Sequence, residues 1–504
     1  MRQRDWKLGG SVKYMIILAG GEATRLGPLT AQLSKALVSI KQRPIIAHHV
    51  QRAVVENCDE IVVVTSPGSD LQVSRVLDRM SCPVRYRTVI QQVPHGPVDA
   101  LQHAVRALGP MRAYDFAIVT AADTYVDASV RLPDRPFIAT AETSDTGRSW
   151  CHFTDRWVDA PIDRPSKQVF IGLLGAYLHE LGRACNSAIE LAGRSSPMSP
   201  VIQWLYDYTS GFMHQVAGWH DTGDLGALAA ARRATFTSRP KHEVTLDDRG
   251  IITKNGVMRD EVDAVTRMSR LHLGPQFISF FPDGRLKLEY CDLPSLAELY
   301  LYWPGRPDTW RHIIEVVLLR LERDLWSELL VDSVAQLRNQ SYSDACSMYL
   351  TKPRIRQAEL GCAPPQELEA FITAEVLSTM EITRIHGDLN FGNILYSLGT
   401  DTFRLIDPRG TFGTSKIWGD KRYEYAKLRF SYRHGLTAIT HGVNVDRTAE
   451  ADAIDELLLE RGVNLKHIAA IEATLFLSSM PLHDESEHEP MRLAALDCMK
   501  EALG

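Results

Sequence analysis

Tyr14-Met15-Ile16-Ile17-Leu18 is an unbroken apolar run that passes directly into Ala19-Gly20-Gly21-Glu22-Ala23-Thr24-Arg25-Leu26-Gly27-Pro28-Leu29-Thr30. A short apolar run bounded by a turn signal reads as a strand buried on both faces. The pattern recurs. Glu60-Ile61-Val62-Val63-Val64-Thr65 stops at Pro67-Gly68, Phe116-Ala117-Ile118-Val119-Thr120 leads to Asp123, and a helical pattern from Ile45 to Val55 separates the first two runs. Strand, polar loop and helix in repetition imply an α/β domain with a doubly wound, mainly parallel sheet. Ligands of such sheets bind outside the carboxyl ends of the strands. The Gly20 loop and Asp123 both fall there.

The chain has 504 residues, too many for one core, and its 45% hydrophobic and 23% charged content is that of a globular protein. A net charge of −6 gives no electrostatic case for nucleic acid or acidic membranes. No apolar run approaches the roughly 20 residues of a membrane helix, and Met1 to Gly10 is not a secretory signal, so a cytoplasmic protein is expected. The eight cysteines form no C-x-x-C pair and read as buried free thiols. The stretch His483-Asp484-Glu485-Ser486-Glu487-His488 reads as a solvated loop between helices rather than a metal site. A homo-oligomer is left open.

After the helical pattern Leu225 to Ala234, Thr237-Ser238-Arg239-Pro240 suggests a linker. Val244 to Lys254 reads as a hairpin, and Phe277 to Phe281 and Arg285 to Tyr290 as further strands. From Trp310 on the pattern is mostly helical, with Ile313 to Leu330, Leu368 to Met380 and Leu465 to Ser478 as clear cases, interrupted by short strands around Arg384 to Ile406. Two domains are expected: residues 1–236, and residues 241–504 with a small β lobe to about 293 and a helical lobe beyond it.

In the first half, Gly20 and Gly21 allow close backbone approach to a triphosphate. Arg25 offers a guanidinium fork and Lys35 a mobile charge for phosphate oxygens. The constellation G-G-x-x-T-R-L-x-P-L-T with a downstream lysine resembles the nucleoside-diphosphate-sugar pyrophosphorylases and phosphocholine cytidylyltransferases, over roughly residues 13–235. The resemblance implies a Rossmann-like nucleotidyltransferase domain. Leu18, Gly20, Gly21 and Thr24, with Gln91 (or Gln92), Pro94, Gly96 and Asp99-Ala100-Leu101, would bind the nucleotide. Ala122-Asp123-Thr124 and Trp219-His220-Asp221-Thr222-Gly223 would supply two Mg²⁺ ligands, Asp123 and Asp221. Asp163-Arg164-Pro165 stands where the family has Glu-Lys-Pro, near the acceptor. Arg25 and Lys35 would be the catalytic cations. Ala23 and Ser34 depart from the family's glycine and proline by small changes.

In the second half, His386-Gly387-Asp388 is followed by Asn393, and Ile406-Asp407-Pro408 comes later. An Asp orienting the substrate hydroxyl, an Asn five residues on and a second metal-binding Asp form a kinase pattern. These residues, with Gly419-Asp420, Tyr423 and Ala426-Lys427-Leu428, resemble the aminoglycoside phosphotransferase and choline kinase group over roughly residues 240–504. The resemblance implies a bilobal kinase-like α+β domain. Asp388 would be catalytic, Asn393 and Asp407 metal ligands, Lys254 the phosphate-binding lysine with Glu261 as its partner, and Glu289 and Cys291 part of the adenine-binding hinge. No G-x-G-x-x-G precedes Lys254.

Together the resemblances imply a bifunctional enzyme. ATP phosphorylates a sugar or small alcohol, then a second NTP (CTP, UTP or GTP) is coupled to that phosphate with release of pyrophosphate. The product would be an NDP-activated unit for capsule or other surface polysaccharides. A choline-type cytidylyltransferase with its kinase, an active nucleotidyltransferase with a regulatory kinase-like domain, and a non-enzymatic nucleotide sensor are the other readings.

Overall fold

The computed structural model describes residues 11–21, 25–26, 33–80, 82–143, 149–161, 165–209, 212–236, 243–247, 249–303, 305–327, 334–416, 418–443 and 446–504. Thr24, Asp163, Arg164 and the expected linker at 237–240 lie outside these. The chain divides into two compact units, Met1–Thr235 and Phe236–Gly504.

In the first unit, strands Lys13–Ala19, Glu60–Thr65, Arg85–Ile90 and Phe116–Ala121 run parallel, connected through helices Ile45–Val55, Ser69–Arg79 and Pro97–Ala107. Lys13–Ala19 lies between Glu60–Thr65 and Phe116–Ala121, with Arg85–Ile90 outermost. The order therefore reverses beside the first strand, and the crevice at that switch point opens beyond Ala19 and Ala121. Met15, Ile16 and Ile17 are fully buried, as are Ile61, Val62 and Val63, so each strand has core on both faces. Full burial of each such side chain contributes about 1.5–3 kcal/mol. The antiparallel strand Ser166–Tyr177 pairs with Phe116–Ala121 and carries the sheet on to Phe137–Thr143 and Ser149–Phe153.

The second unit begins with a four-stranded antiparallel sheet ordered Val244–Leu246, Ile251–Lys254, Leu286–Glu289, Phe277–Phe280. Helix Arg259–Arg270 packs its buried Val262 and Val265 against Leu286. Helices dominate from Leu296 onward, among them Pro307–Asp324, Lys421–Tyr432, Leu465–Ser479 and Glu485–Leu503.

Several expectations need correction. The helix expected from Leu368 to Met380 is Gln366–Phe371, then a π-helical turn Ile372–Val376 and a 3₁₀ turn Leu377–Thr379. The helix expected from Ile313 starts earlier, at Pro307, whose ring suits a first turn, and it ends at Asp324. His483 to His488 is no loop. Asp484 and Glu487 form a reciprocal capping box that starts the last helix. All eight cysteines are free, but Cys58, Cys185 and Cys498 alone are buried and Cys362 is exposed.

Candidate functional site

At the crevice of the first unit, Lys35 sits on a short turn, Lys35–Leu37, and places its Nζ 3.3 Å from Asp123 Oδ2. Burial would raise the Asp123 pKa; the Lys35 ammonium outweighs it and, with Arg25, holds the carboxyl below its usual value. A Cβ built on Gly21 would lie 3.6 Å from Lys35 Nζ, so this glycine passes beside the same ammonium. Asp221 reaches the site through a second pairing: Trp219–Asp221 runs antiparallel to Thr124–Val126, with Asp221 opposite Thr124. Thr222 seals the pair, donating from both its amide and its hydroxyl to the Asp123 carbonyl at 2.9 Å. Two carboxylates from segments about a hundred residues apart thus stand at adjoining positions, the hard oxygen donors that suit Mg²⁺.

Gln91 is buried and braces the loop. Its Nε2 donates to Asp99 Oδ2 at 2.8 Å and to the Gly96 carbonyl at 3.3 Å. Its Oε1 would lie 2.8 Å from a Cβ on Gly20, so a side chain at position 20 would displace the brace. Gln92 is exposed. Gly96, at φ +117°, precedes the helix Pro97–Ala107 in a conformation few other residues adopt. The Leu18 side chain belongs to the core, and its carbonyl accepts the Ala122 amide at 3.1 Å, so Leu18 offers the crevice a strand end, not a polar side chain. A cavity of about 450 Å³ lies nearby, between Ala141–Glu142 and the segment Gln215 to Trp219.

The second unit gathers the other set. Lys254, at the end of its strand, contacts Glu261 Oε1 at 2.5 Å and Asp407 Oδ1 at 3.3 Å. Burial would lower the lysine's pKa, but Asp407 and Glu261 outweigh it and raise it. Asp407 has φ +53°, in the left-handed region where Asp is tolerated better than most residues. Gly410 follows closely: a Cβ there would come within 2.3 Å of the Asp260 backbone, so the loop after Asp407 packs directly on the helix bearing Glu261.

Asp388 Oδ1 pairs with Lys427 Nζ at 2.9 Å. Asn393 Nδ2 donates to the Asp388 carbonyl at 2.9 Å and to Asp388 Oδ2 at 3.2 Å. Those bonds turn the amide oxygen of Asn393 away, and it is buried with no hydrogen-bond partner among the described residues. An orphaned acceptor beside Asp388 fits a metal ligand, since burial without a donor or cation is costly. Burial would raise the Asp388 pKa; Lys427 and Arg409 outweigh it and hold the carboxyl well below the usual carboxylate range. His386 is fully buried. Its Nδ1 accepts the Asp388 amide at 3.3 Å and its Nε2 lies 3.1 Å from the Ile406 carbonyl, an arrangement that one neutral tautomer satisfies. Burial pushes its pKa down to about 4.

Glu289 and Cys291 flank Tyr290, whose amide donates to the Gly250 carbonyl at 2.9 Å, where the sheet ends. The sequence reading missed Glu424, Arg409 and Lys352. Glu424, three residues before Lys427 on helix Lys421–Tyr432, is buried under the Asp388 loop. No local pattern marks it, because its partners are the His386 and Gly387 amides of a distant loop.

Residues 14–146 match the family profile described as Nucleotidyl transferase. A glucose-1-phosphate thymidylyltransferase of Streptomyces griseus is 24% identical over 52% of this chain and 77% of its own length. A mannose-1-phosphate guanyltransferase of Aspergillus oryzae is 33% identical over 19% of this chain and 26% of its own. A Bacillus anthracis crystal structure with sucrose, described as a glucose-1-phosphate thymidylyltransferase, is 18% identical with TM-score 0.38, covering 45% of this chain and 98% of that one. The N-terminal region is thus a nucleotidyl transferase domain resembling sugar-phosphate nucleotidyltransferases.

Proposed function

We propose a bifunctional enzyme in which the C-terminal unit phosphorylates a sugar or small alcohol with ATP and the N-terminal unit joins the resulting phosphate ester to an NTP. The observation that carries it is Lys254, held between Glu261 at 2.5 Å and Asp407 at 3.3 Å while Asn393 braces Asp388. A lysine ion-paired to a helix glutamate, a metal-binding aspartate and an Asp–Asn pair are the parts phosphoryl transfer needs.

In the first reaction Lys254 steadies the ATP phosphates and Asp388 orients the acceptor hydroxyl. Asp388 is kept ionised by Lys427, so it positions and only late accepts the proton. Asn393 and Asp407 would hold Mg²⁺, and Glu289 and Cys291 border the adenine. In the second reaction Gly20 and Gly21 admit the triphosphate, and Arg25 and Lys35 balance its charge. Thr24 and the Gln91–Gly96 segment complete the nucleotide side. By the resemblance Asp163 and Arg164 would bind the acceptor, while Asp123 and Asp221 would hold the ion. Bound Mg²⁺ would neutralise the charge developing on the phosphates. The S. griseus and A. oryzae relatives are named for acceptors that are sugar 1-phosphates, and we place the second step on such an ester. The product is the kind of donor that surface-polysaccharide synthesis consumes, made in the cytoplasm where NTPs are available.

Incubation with Mg²⁺, ATP, each other NTP and a panel of unphosphorylated acceptors, read by mass, tests both steps. A diphosphate-linked product from an unphosphorylated acceptor supports the proposal. Strict need for a pre-phosphorylated acceptor, with no ATP turnover, overturns the first step.

A further inference from the structure

Among the described residues, Lys427, Arg409 and Lys352 are gathered as cations about the Asp388 carboxylate. Lys427, 11% exposed, pairs with Asp388 Oδ1. Arg409 follows Asp407 in the same loop, and its backbone and Cβ lie against Gly387, where a built Cβ would come within 2.9 Å of Arg409 Cβ. Its Nη1 donates to the Tyr423 hydroxyl at 3.4 Å, a neutral partner. Lys352 is half-buried, and among the described residues its ammonium has no hydrogen bond or ion pair. Tyr349, one turn before it, stacks on Tyr423 with ring centroids 6.3 Å apart, and Tyr423 also meets Arg409 and Lys427. The charges acting on Lys352 include Arg409, Lys427, Arg356 and the Asp388 carboxylate.

The neighbouring acids are committed elsewhere. Asp420 pairs with Arg422, Asp344 takes donors from Thr414 and Ser415, and Glu359 pairs with Arg356. Both Glu424 oxygens are taken up by backbone amides.

The chain holds Lys352 in place by specific means. A π-helical turn, Ser347–Thr351, precedes it, and the Lys352 amide closes that turn on the Ser347 carbonyl. Such turns interrupt helices frequently at functional sites. Upstream on the same helical run, Asp344 accepts the Thr414 amide at 2.7 Å and the Ser415 amide at 3.1 Å, clamping that run to the strand turn beyond Arg409. Tyr349, inside the π turn, donates to Asp420, the cap of the helix bearing Lys427. Lys352, Arg409 and Lys427 are therefore fixed on three mutually braced segments. Like charges brought this close and partly out of water persist where an anion completes the set.

Resting on the kinase reading above, we infer that the acceptor of the C-terminal unit is an alcohol carrying its own anionic group, a carboxylate or phosphate a few bonds from the reacting hydroxyl, bound by Lys352 and Arg409. The nucleotide has its own cation in Lys254, which belongs to Glu261 and Asp407. The set around Asp388, the residue that orients the hydroxyl, belongs to the acceptor. The transfer balances: the acceptor oxygen bonds to the γ-phosphorus, the bond to the β-phosphate oxygen breaks, ADP leaves with the electron pair and Asp388 takes the hydroxyl proton.

The test is ATP turnover by the full chain with matched acceptors: glycerol against glycerate and glycerol 3-phosphate, and hexoses against hexuronates and hexose 6-phosphates. Preference for anionic members is expected. In Lys352→Gln their KM should rise about ten-fold or more, with kcat and the KM for ATP within about two-fold, and Lys352→Arg should restore most of the loss. The retained ATP kinetics report an intact fold. Equal or better use of neutral acceptors, or a Lys352→Gln effect on the KM for ATP instead, overturns the inference and leaves the kinase reading standing. No ATP turnover with any acceptor overturns both.

Discussion

The Glu424 carboxyl accepts the His386 amide at 2.7 Å and the Gly387 amide at 2.9 Å, so one buried side chain holds the loop that presents Asp388. The two residues titrate in opposing directions. Burial pushes Glu424 up to about 7 and His386 down to about 4. Below pH 6.5 the unfolded chain protonates His386 and the folded chain does not, so this contribution is present above pH 6.5 and lost as pH falls towards 4. The Glu424 contribution is fully present below pH 4.5 and lost as pH rises through 7. The two nearly cancel in the native protein. In metal-free His386→Gln, one side is gone. Its stability relative to the native chain should rise by about 3 kcal/mol as pH is lowered from 7 to 4, read from paired melting curves. A flat difference would refute the assignment.

Lys254→Met should cut ATP-dependent phosphorylation by about 10²-fold or more, because Glu261 and Asp407 lose the cation between them and the phosphates lose theirs. Pyrophosphate release from a supplied sugar 1-phosphate and NTP should be untouched. Equal loss in both assays would point to misfolding instead.

Asp123→Asn and Asp221→Asn should each lower pyrophosphate release by about 10²–10³-fold, with ATP phosphorylation retained. Chelation with EDTA should stop both activities and added Mg²⁺ should restore them. Full nucleotidyl transfer by either variant would remove these carboxylates from the metal site.

Much of this was legible where chemistry is local. The Tyr14–Leu18 run gave a strand found at Lys13–Ala19, because a strand buried on both faces leaves no polar residue to confuse its period. Lys254 and Glu261 could be paired from sequence, since a strand end and the next helix's first turn are neighbours along the chain. Glu424 and Lys352 could not, because their roles depend on which loop folds over them. The π turns at Ser347–Thr351 and Ile372–Val376 were equally hidden; a five-residue closure leaves the apolar period almost unchanged. The last helix is a different case. Asp484 and Glu487 are a capping-box spacing, and that signal was present in the acidic stretch taken for a loop.

Asp344 is 2% exposed and accepts from the Thr414 and Ser415 amides and from both their hydroxyls. A Cβ on Gly413, at φ +62°, would come within 2.4 Å of Asp344 Oδ1, so the turn closes directly over the carboxylate. Asp344→Ala strands four donors at once, two of them backbone amides that cannot rotate towards water. Each buried unmet donor costs about 1–3 kcal/mol, and local relaxation recovers part of it, leaving a net loss of about 3 kcal/mol. Calorimetry of the full chain should show the transition of the C-terminal unit falling by roughly 10 °C while pyrophosphate release persists. The same turn helps fix Arg409 and Lys352 around Asp388, so ATP turnover should fall even below that transition. A melting temperature within about 2 °C of the native chain would mean that the turn is held by other contacts.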